Sequence, residues 1–206
     1  MLRRDLIDGI LAGMMVSFGG AVLLSCDSRY VGAGLFSIAL LSICWFGFDL
    51  YTGKVGFLVV DHSRSALATT FIGLLGNAIG TLVMGFAVAA ALPKLRDAAL
   101  AACEARLAQL PIQTLLRGLF CGVLMYIAVE IYRSKKSPIG VLFGIPVFIL
   151  AGFEHSIADM FYFCSAGAYN MEALIFIIIV AFGNLVGGVI IPVCRKYMYE
   201  NPPAKA

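Results

Sequence analysis

FGFDLYTGKVG (46–56) and AGFEHSIADM (151–160) are the two stretches on which the reading of this chain turns. Each sets charged and polar residues into the middle of a long apolar run. Each is followed by a glycine-rich apolar segment carrying a Gly-Asn pair, Gly76-Asn77 after the first and Gly183-Asn184 after the second. Broken hydrophobic helices at corresponding places in two chain halves are the mark of a doubled membrane protein with a polar site where the halves meet. A substrate pathway across the bilayer is the function this pattern predicts.

Composition points the same way. The 206 residues are 61% hydrophobic and 13% charged, against about 45–50% apolar and about 25% charged in soluble domains. The net charge of +3 is small and scattered, which excludes a nucleic-acid partner as the reading. Cys26, Cys44, Cys103, Cys121, Cys164 and Cys194 lie mostly in apolar runs without CxxC spacing, so neither a disulfide framework nor a zinc site is expected. No cofactor is implied. MLRRDLIDG runs directly into a full-length span, so a cleaved signal is not expected either.

Crossing the hydrocarbon core takes roughly 20 apolar residues. Six candidate spans follow, near 7–26, 31–60, 67–92, 114–132, 138–166 and 172–194. As one straight helix, 31–60 would run about 45 Å, well beyond a core of about 30 Å. A break is therefore expected where Gly47, Asp49, Thr52, Gly53, Lys54 and Gly56 cluster. The fifth span is similarly overlong, and Gly152, Glu154, His155 and Asp159 interrupt it. The predicted fold is an all-α membrane protein of six transmembrane helices in two inverted three-helix repeats, with the second and fifth helices broken. Residues 1–206 form a single transmembrane channel domain, with half-repeats at about 1–92 and 114–200 joined by an outer loop at 93–113.

Basic residues orient the spans. With both termini in the cytoplasm, Arg3, Arg4, Arg64, Arg133, Lys135, Lys136, Arg195, Lys196 and Lys205 lie inside, and only Arg29, Lys94, Arg96 and Arg106 lie outside. In the outer loop, Leu100, Cys103, Leu107 and Leu110 recur opposite Arg96, Asp97, Glu104 and Arg106, which predicts a short amphipathic helix. GxxxG pairs at Gly9/Gly13, Gly76/Gly80, Gly118/Gly122 and Gly183/Gly187 predict close helix contacts.

The segments GFEHSIADMF (152–161), FDLYTGKVGFLV (48–59), GLLGNAIGT (73–81), RGLFCG (117–122) and AFGNLVGG (181–188) together resemble the formate/nitrite transporter family, in order and over nearly the whole chain. That resemblance implies an aquaporin-like protomer in a homopentamer, each subunit with its own pore for small monovalent anions of weak acids, such as formate, nitrite or hydrosulfide. It implies that His155 faces Thr52 at the pore centre, and that Asn184 is the hydrogen-bond partner orienting the histidine. It also implies that Phe36, Leu40 and Phe148 form apolar constrictions on either side, and that Arg117 stands where a lysine is usual. Arg117 keeps the charge but removes a group able to give up its proton. Asp159 and Gly122 stand where many members have asparagine. The location implied is the cell membrane, multi-pass.

The residues themselves carry further expectations. An isolated ion in apolar surroundings costs on the order of tens of kcal/mol, so a weak-acid anion escapes the penalty by protonation and crosses neutral. Half-helices starting near Thr52 and His155 would aim positive ends at the centre. His155, with an ordinary pKa of about 6.5, is read as a proton or hydrogen-bond donor to the substrate. Thr52 either donates its hydroxyl or caps a half-helix. Asp49 and Glu154 are read as structural, accepting bonds at the breaks, and Lys54 as snorkelling. Two other classes fit parts of the pattern. A pore for neutral solutes such as water or glycerol is one. An intramembrane metalloenzyme using His155, Asp159 and Glu154 is the other, although it lacks a third dependable ligand and any HExxH.

Overall fold

The computed structural model describes residues 2–200 of the chain and is helical throughout apart from short connections. Lys205, counted above among the inner charges, lies outside the described residues. The elements are α1 (Leu2–Ser25), α2 (Arg29–Phe46), α3 (Tyr51–Lys54) running on as a 3-10 segment Val55–Val59, α4 (Arg64–Ala91), α5 (Pro93–Leu107), α6 (Pro111–Lys135), α7 (Ile139–Ala151), α8 (Ser156–Ala166) and α9 (Met171–Glu200). Helices α1, α2, α4, α6 and α9 are each long and apolar enough to cross a membrane, and α7 with α8 makes a sixth span bent by 57°. Counted as six spans, an even number, the helices put Leu2 and Glu200 on the same side. Three crossings per half invert the second half relative to the first.

Local chemistry sets the ends of these helices. Ser28 and Ser63 cap α2 and α4 by accepting from the Val31 and Ala66 amides at 3.4 and 3.2 Å. Pro93 and Pro111 open α5 and α6, where a missing N–H costs nothing. Both broken spans stop in the same way. Gly47 and Gly152 take the left-handed conformation, φ 74° and 76°, which lets the chain turn sharply out of α2 and α7.

The two halves use the same bonds to hold the breaks. In the first, Asn77 Nδ2 donates to the carbonyls of Gly9 and Asp49, both at 2.8 Å, while its Oδ1 accepts from the Tyr51 amide at 3.0 Å. In the second, Asn184 Nδ2 donates to the carbonyls of Gly118 and Glu154 at 2.8 and 3.0 Å, and its Oδ1 accepts from the Ser156 amide at 3.0 Å. Each asparagine thus ties an unwound strap to two helices. Backbone groups without water must find such partners inside the protein.

The glycine faces pack as the sequence predicts. Helix α1 lies along α4 and α6 along α9. A Cβ on Gly9 would stand 2.6 Å from the Gly73 carbonyl oxygen, and one on Gly118 would stand 2.9 Å from that of Val180. A Cβ on Gly122 would run into the Asn184 carbonyl, which explains why no larger residue sits there.

Two expectations need correction. The breaks are unequal: α7 is followed by the 11-residue α8, but α2 is followed only by the four-residue α3 and a 3-10 segment. No half-helix of useful length starts at Thr52. Gly53, Gly56 and the β-branched Val55, Val59 and Val60 disfavour helix, and Gly56 abuts the Gly188 backbone, which holds the segment where it lies. Helix α5 keeps only part of its predicted face: Cys103 is buried and Leu107 packs on the core while Arg96, Asp97 and Glu104 are exposed, but Leu100 is exposed, Leu110 lies beyond the helix and is exposed, and Arg106 is drawn inward. Asp159, Glu154 and the Tyr162 ring hold Arg106 inward although it was expected on the solvent face.

Candidate conduction site

His155 is the N-cap of α8. Its backbone is extended (φ −114°, ψ 109°) and its Nδ1 accepts the Ala158 amide at 3.2 Å. A nitrogen that accepts a hydrogen bond carries no proton, so the ring proton is on Nε2. That nitrogen lies 2.8 Å from Thr52 Oγ1 and donates to it. Thr52 therefore receives a bond and keeps its own hydroxyl proton to give. Both side chains are buried. Protonating Nδ1 as well would set two N–H donors against each other and break the cap, so the geometry favours the neutral imidazole.

Above this pair the rings close in. Phe148 stacks on His155 with centroids 5.7 Å apart and planes 20° from parallel. Phe36 meets Phe148 edge-on at 6.4 Å and 82°. All three line one cavity of about 390 Å³, together with Arg117 and Glu154. Leu40 lines a different cavity of about 340 Å³, shared with Lys54, Arg133 and Lys136. The Thr52–His155 pair is thus brought together with Phe36 and Phe148, and Leu40 borders a separate vestibule.

Asn184 does not touch the imidazole; this corrects its expected role. Its amide is spent on the Ser156 amide and the Glu154 and Gly118 carbonyls, so it orients His155 only by fixing the backbone on either side. Arg117 lines the cavity with its guanidinium 3.9 Å from Glu154 Oε1, and its carbonyl accepts the Glu154 amide at 3.3 Å. Asp49 and Glu154 accept side-chain bonds at the breaks, as expected of them. Lys54 bonds the Asp49 carboxylate instead of snorkelling. Glu154 accepts from Gln109 at 2.7 Å and lies 3.1 Å from Arg106 Nε.

Three participants escaped the sequence reading. Arg106 and Gln109 come from the connection between α4 and α6, and Asn77 duplicates Asn184. The repeated Gly-Asn pair was a signal for Asn77. Nothing local distinguishes Arg106 from its charged neighbours, because its partners Glu154 and Asp159 lie about fifty residues away. Asp159 sends its carboxylate to Arg106, so it does not join His155 as a metal ligand would need to.

An unwound strap in each half, a buried polar pair and apolar rings beside it fit a membrane transport protein. A family model described as formate/nitrite transporter matches residues 2–198, and the chain belongs to that family. A curated relative from Bacillus subtilis (strain 168), an uncharacterized transporter named YwcJ, is 26% identical over 91% of this chain and 85% of its own length. Among solved structures, a pentameric formate channel with formate bound superposes with a TM-score of 0.77 at 20% identity, covering 97% of both chains. An FNT family ion channel gives 0.76 at 20% identity, over 98% of this chain and 90% of that one. These likenesses bear out the predicted six-span fold with its broken helices. Membership in a transporter family sets the metalloenzyme reading aside.

Proposed function

We infer that the chain is a channel for small monovalent anions of weak acids, of the formate, nitrite or hydrosulfide type, working as a homopentamer with one pore per subunit. The observation that carries this reading is the 2.8 Å contact between His155 Nε2 and Thr52 Oγ1, set beside the Phe36 and Phe148 rings. Family membership and the pentameric assembly of the formate channel it resembles support the rest. The anion enters the outer cavity, where Arg117 offers a permanent charge. At the rings the ion loses water, and the cost of carrying a bare charge further is prohibitive. Thr52 donates its hydroxyl proton in a hydrogen bond to the anion, polarised by the bond it takes from His155. The acid then crosses as the neutral species, having taken its proton from the solvent side, and His155 stays neutral throughout. Asn184, Asp49 and Glu154 hold the straps. The topology has both termini in the cytoplasm and the protein in the cell membrane.

The test is uptake by proteoliposomes of formate, nitrite, hydrosulfide, acetate, lactate and glycerol, each with and without a pH gradient. Uptake of the small weak-acid anions that rises as the outside is acidified is the expected result. Passage of glycerol at a rate matching the anions would favour the neutral-solute pore instead.

A further inference from the structure

Arg106 lies on the outer helix α5, away from the segments that carry the family pattern, yet its guanidinium is the hub of the outer cavity. Its Nε is 2.8 Å from Asp159 Oδ1 and 3.1 Å from Glu154 Oε2. Its Nη1 donates to the Ala102 carbonyl at 3.0 Å, and its Cζ stands 4.7 Å over the Tyr162 ring. Asp159 is fully buried, and its carboxyl group lies against that of Glu154 as well as against Arg106. So many restraints make this guanidinium a fixed part of the cavity, unlike a surface arginine that samples solvent.

The cavity leading to Phe36, Phe148 and His155 is lined by three arginines, 29, 106 and 117, and three carboxylates, Asp27, Glu154 and Asp159. Its charge is balanced. Arg29 is turned to the Ile149 carbonyl at 2.7 Å, and Arg117 stays 3.9 Å from Glu154, so Asp159 depends on Arg106. Without Arg106 the vestibule would hold an uncompensated carboxylate beside the entrance, and an incoming anion would meet its field in low-dielectric surroundings. A lysine would bring one point charge where the planar guanidinium meets two carboxylates and an aromatic face at once.

We propose that Arg106 is an electrostatic positioning residue of the pathway, which by neutralising Asp159 and Glu154 keeps the outer vestibule accessible to anions. This rests on the reading of the chain as an anion channel. Arg106 acts through the carboxylates and need not touch the substrate.

The test uses the full chain in proteoliposomes at low ionic strength, with formate and nitrite as probes. Arg106→Gln lowers initial uptake by about tenfold, a typical size for steering into a charged cleft. Asp159→Asn raises it by about threefold on the same basis. The double variant R106Q/D159N returns to near the parent rate, and raising impermeant salt narrows the R106Q deficit by screening. If Arg106 merely anchored α5, the double variant would stay as slow as R106Q and salt would change nothing, and either result overturns the proposal. Parent-like uptake by R106Q overturns it too. Should R106Q fail to assemble, D159N decides, since unchanged or slower uptake there contradicts the charge argument. A parent that carries none of these anions overturns the channel reading and this one with it.

Discussion

Thr52 and His155 stand 103 residues apart in the chain and 2.8 Å apart in space, one on the strap of each inverted half. The pairing is asymmetric although the halves repeat. Judged by the matching Gly47/Gly152 and Asp49/Glu154 positions, His155 corresponds to Leu50 and Thr52 to Ile157. The contact thus joins unlike positions, and the doubled scaffold supplies one hydroxyl and one imidazole at its centre.

Replacing His155 by Asn separates its two bonds. Asn is a good N-cap, so α8 keeps its start, but the shorter side chain no longer reaches Thr52. Anion uptake should fall by about two- to tenfold, the cost of one neutral hydrogen bond of roughly 0.5–1.5 kcal/mol, with assembly intact by size-exclusion chromatography. Unchanged flux at every pH would remove His155 from the mechanism.

Thr52→Val keeps the shape and deletes the hydroxyl. Here uptake should fall about as far as in His155→Asn, and the double variant should be little worse than either, because both act through one bond. Additive losses would show that the residues work separately.

Phe148→Ala opens the ring beside His155 and removes the edge-on partner of Phe36. The variant should admit larger anions, acetate or lactate, at a greater fraction of the formate rate. A selectivity ratio equal to the parent's would count against a gating role for this ring.

Asn184→Ala leaves the Ser156 amide and the Gly118 and Glu154 carbonyls without their buried partner. At about 1–3 kcal/mol for each unsatisfied group, the detergent-solubilised protein should melt distinctly lower and lose uptake. Asn77→Ala should lower melting to a similar degree, since its three bonds match. A clear difference in stability between the two would mean that the halves do not share the load.

Gly122→Ala tests the α6–α9 contact. Its Cβ would meet the Asn184 carbonyl backbone, which cannot swing away as a side chain could. Thermal scanning should register a loss of about 1–3 kcal/mol from overpacking, whereas Gly34→Ala, with open space around it, should behave as the parent.

Span number, the two breaks and the small-residue faces were all readable from the chain, because each depends on local composition. Twenty apolar residues must cross, a left-handed glycine must end a helix sharply, and a missing side chain permits contact. Thr52 and His155 were readable too, through family-patterned segments in which they stand at fixed places. What the chain could not disclose depends on partners distant in sequence. The neutral tautomer of His155 follows from the Ala158 amide on one nitrogen and Thr52 on the other. The inward placement of Arg106 follows from Asp159 and Glu154, which hold it on a helix whose Cys103 and Leu107 also pack inward. Asn184 gave up the imidazole because three backbone groups around the strap had no water to turn to. Hydrophobic period and helix breaks are written along the chain, whereas the satisfaction of buried charge and of unwound backbone is settled only where distant segments meet.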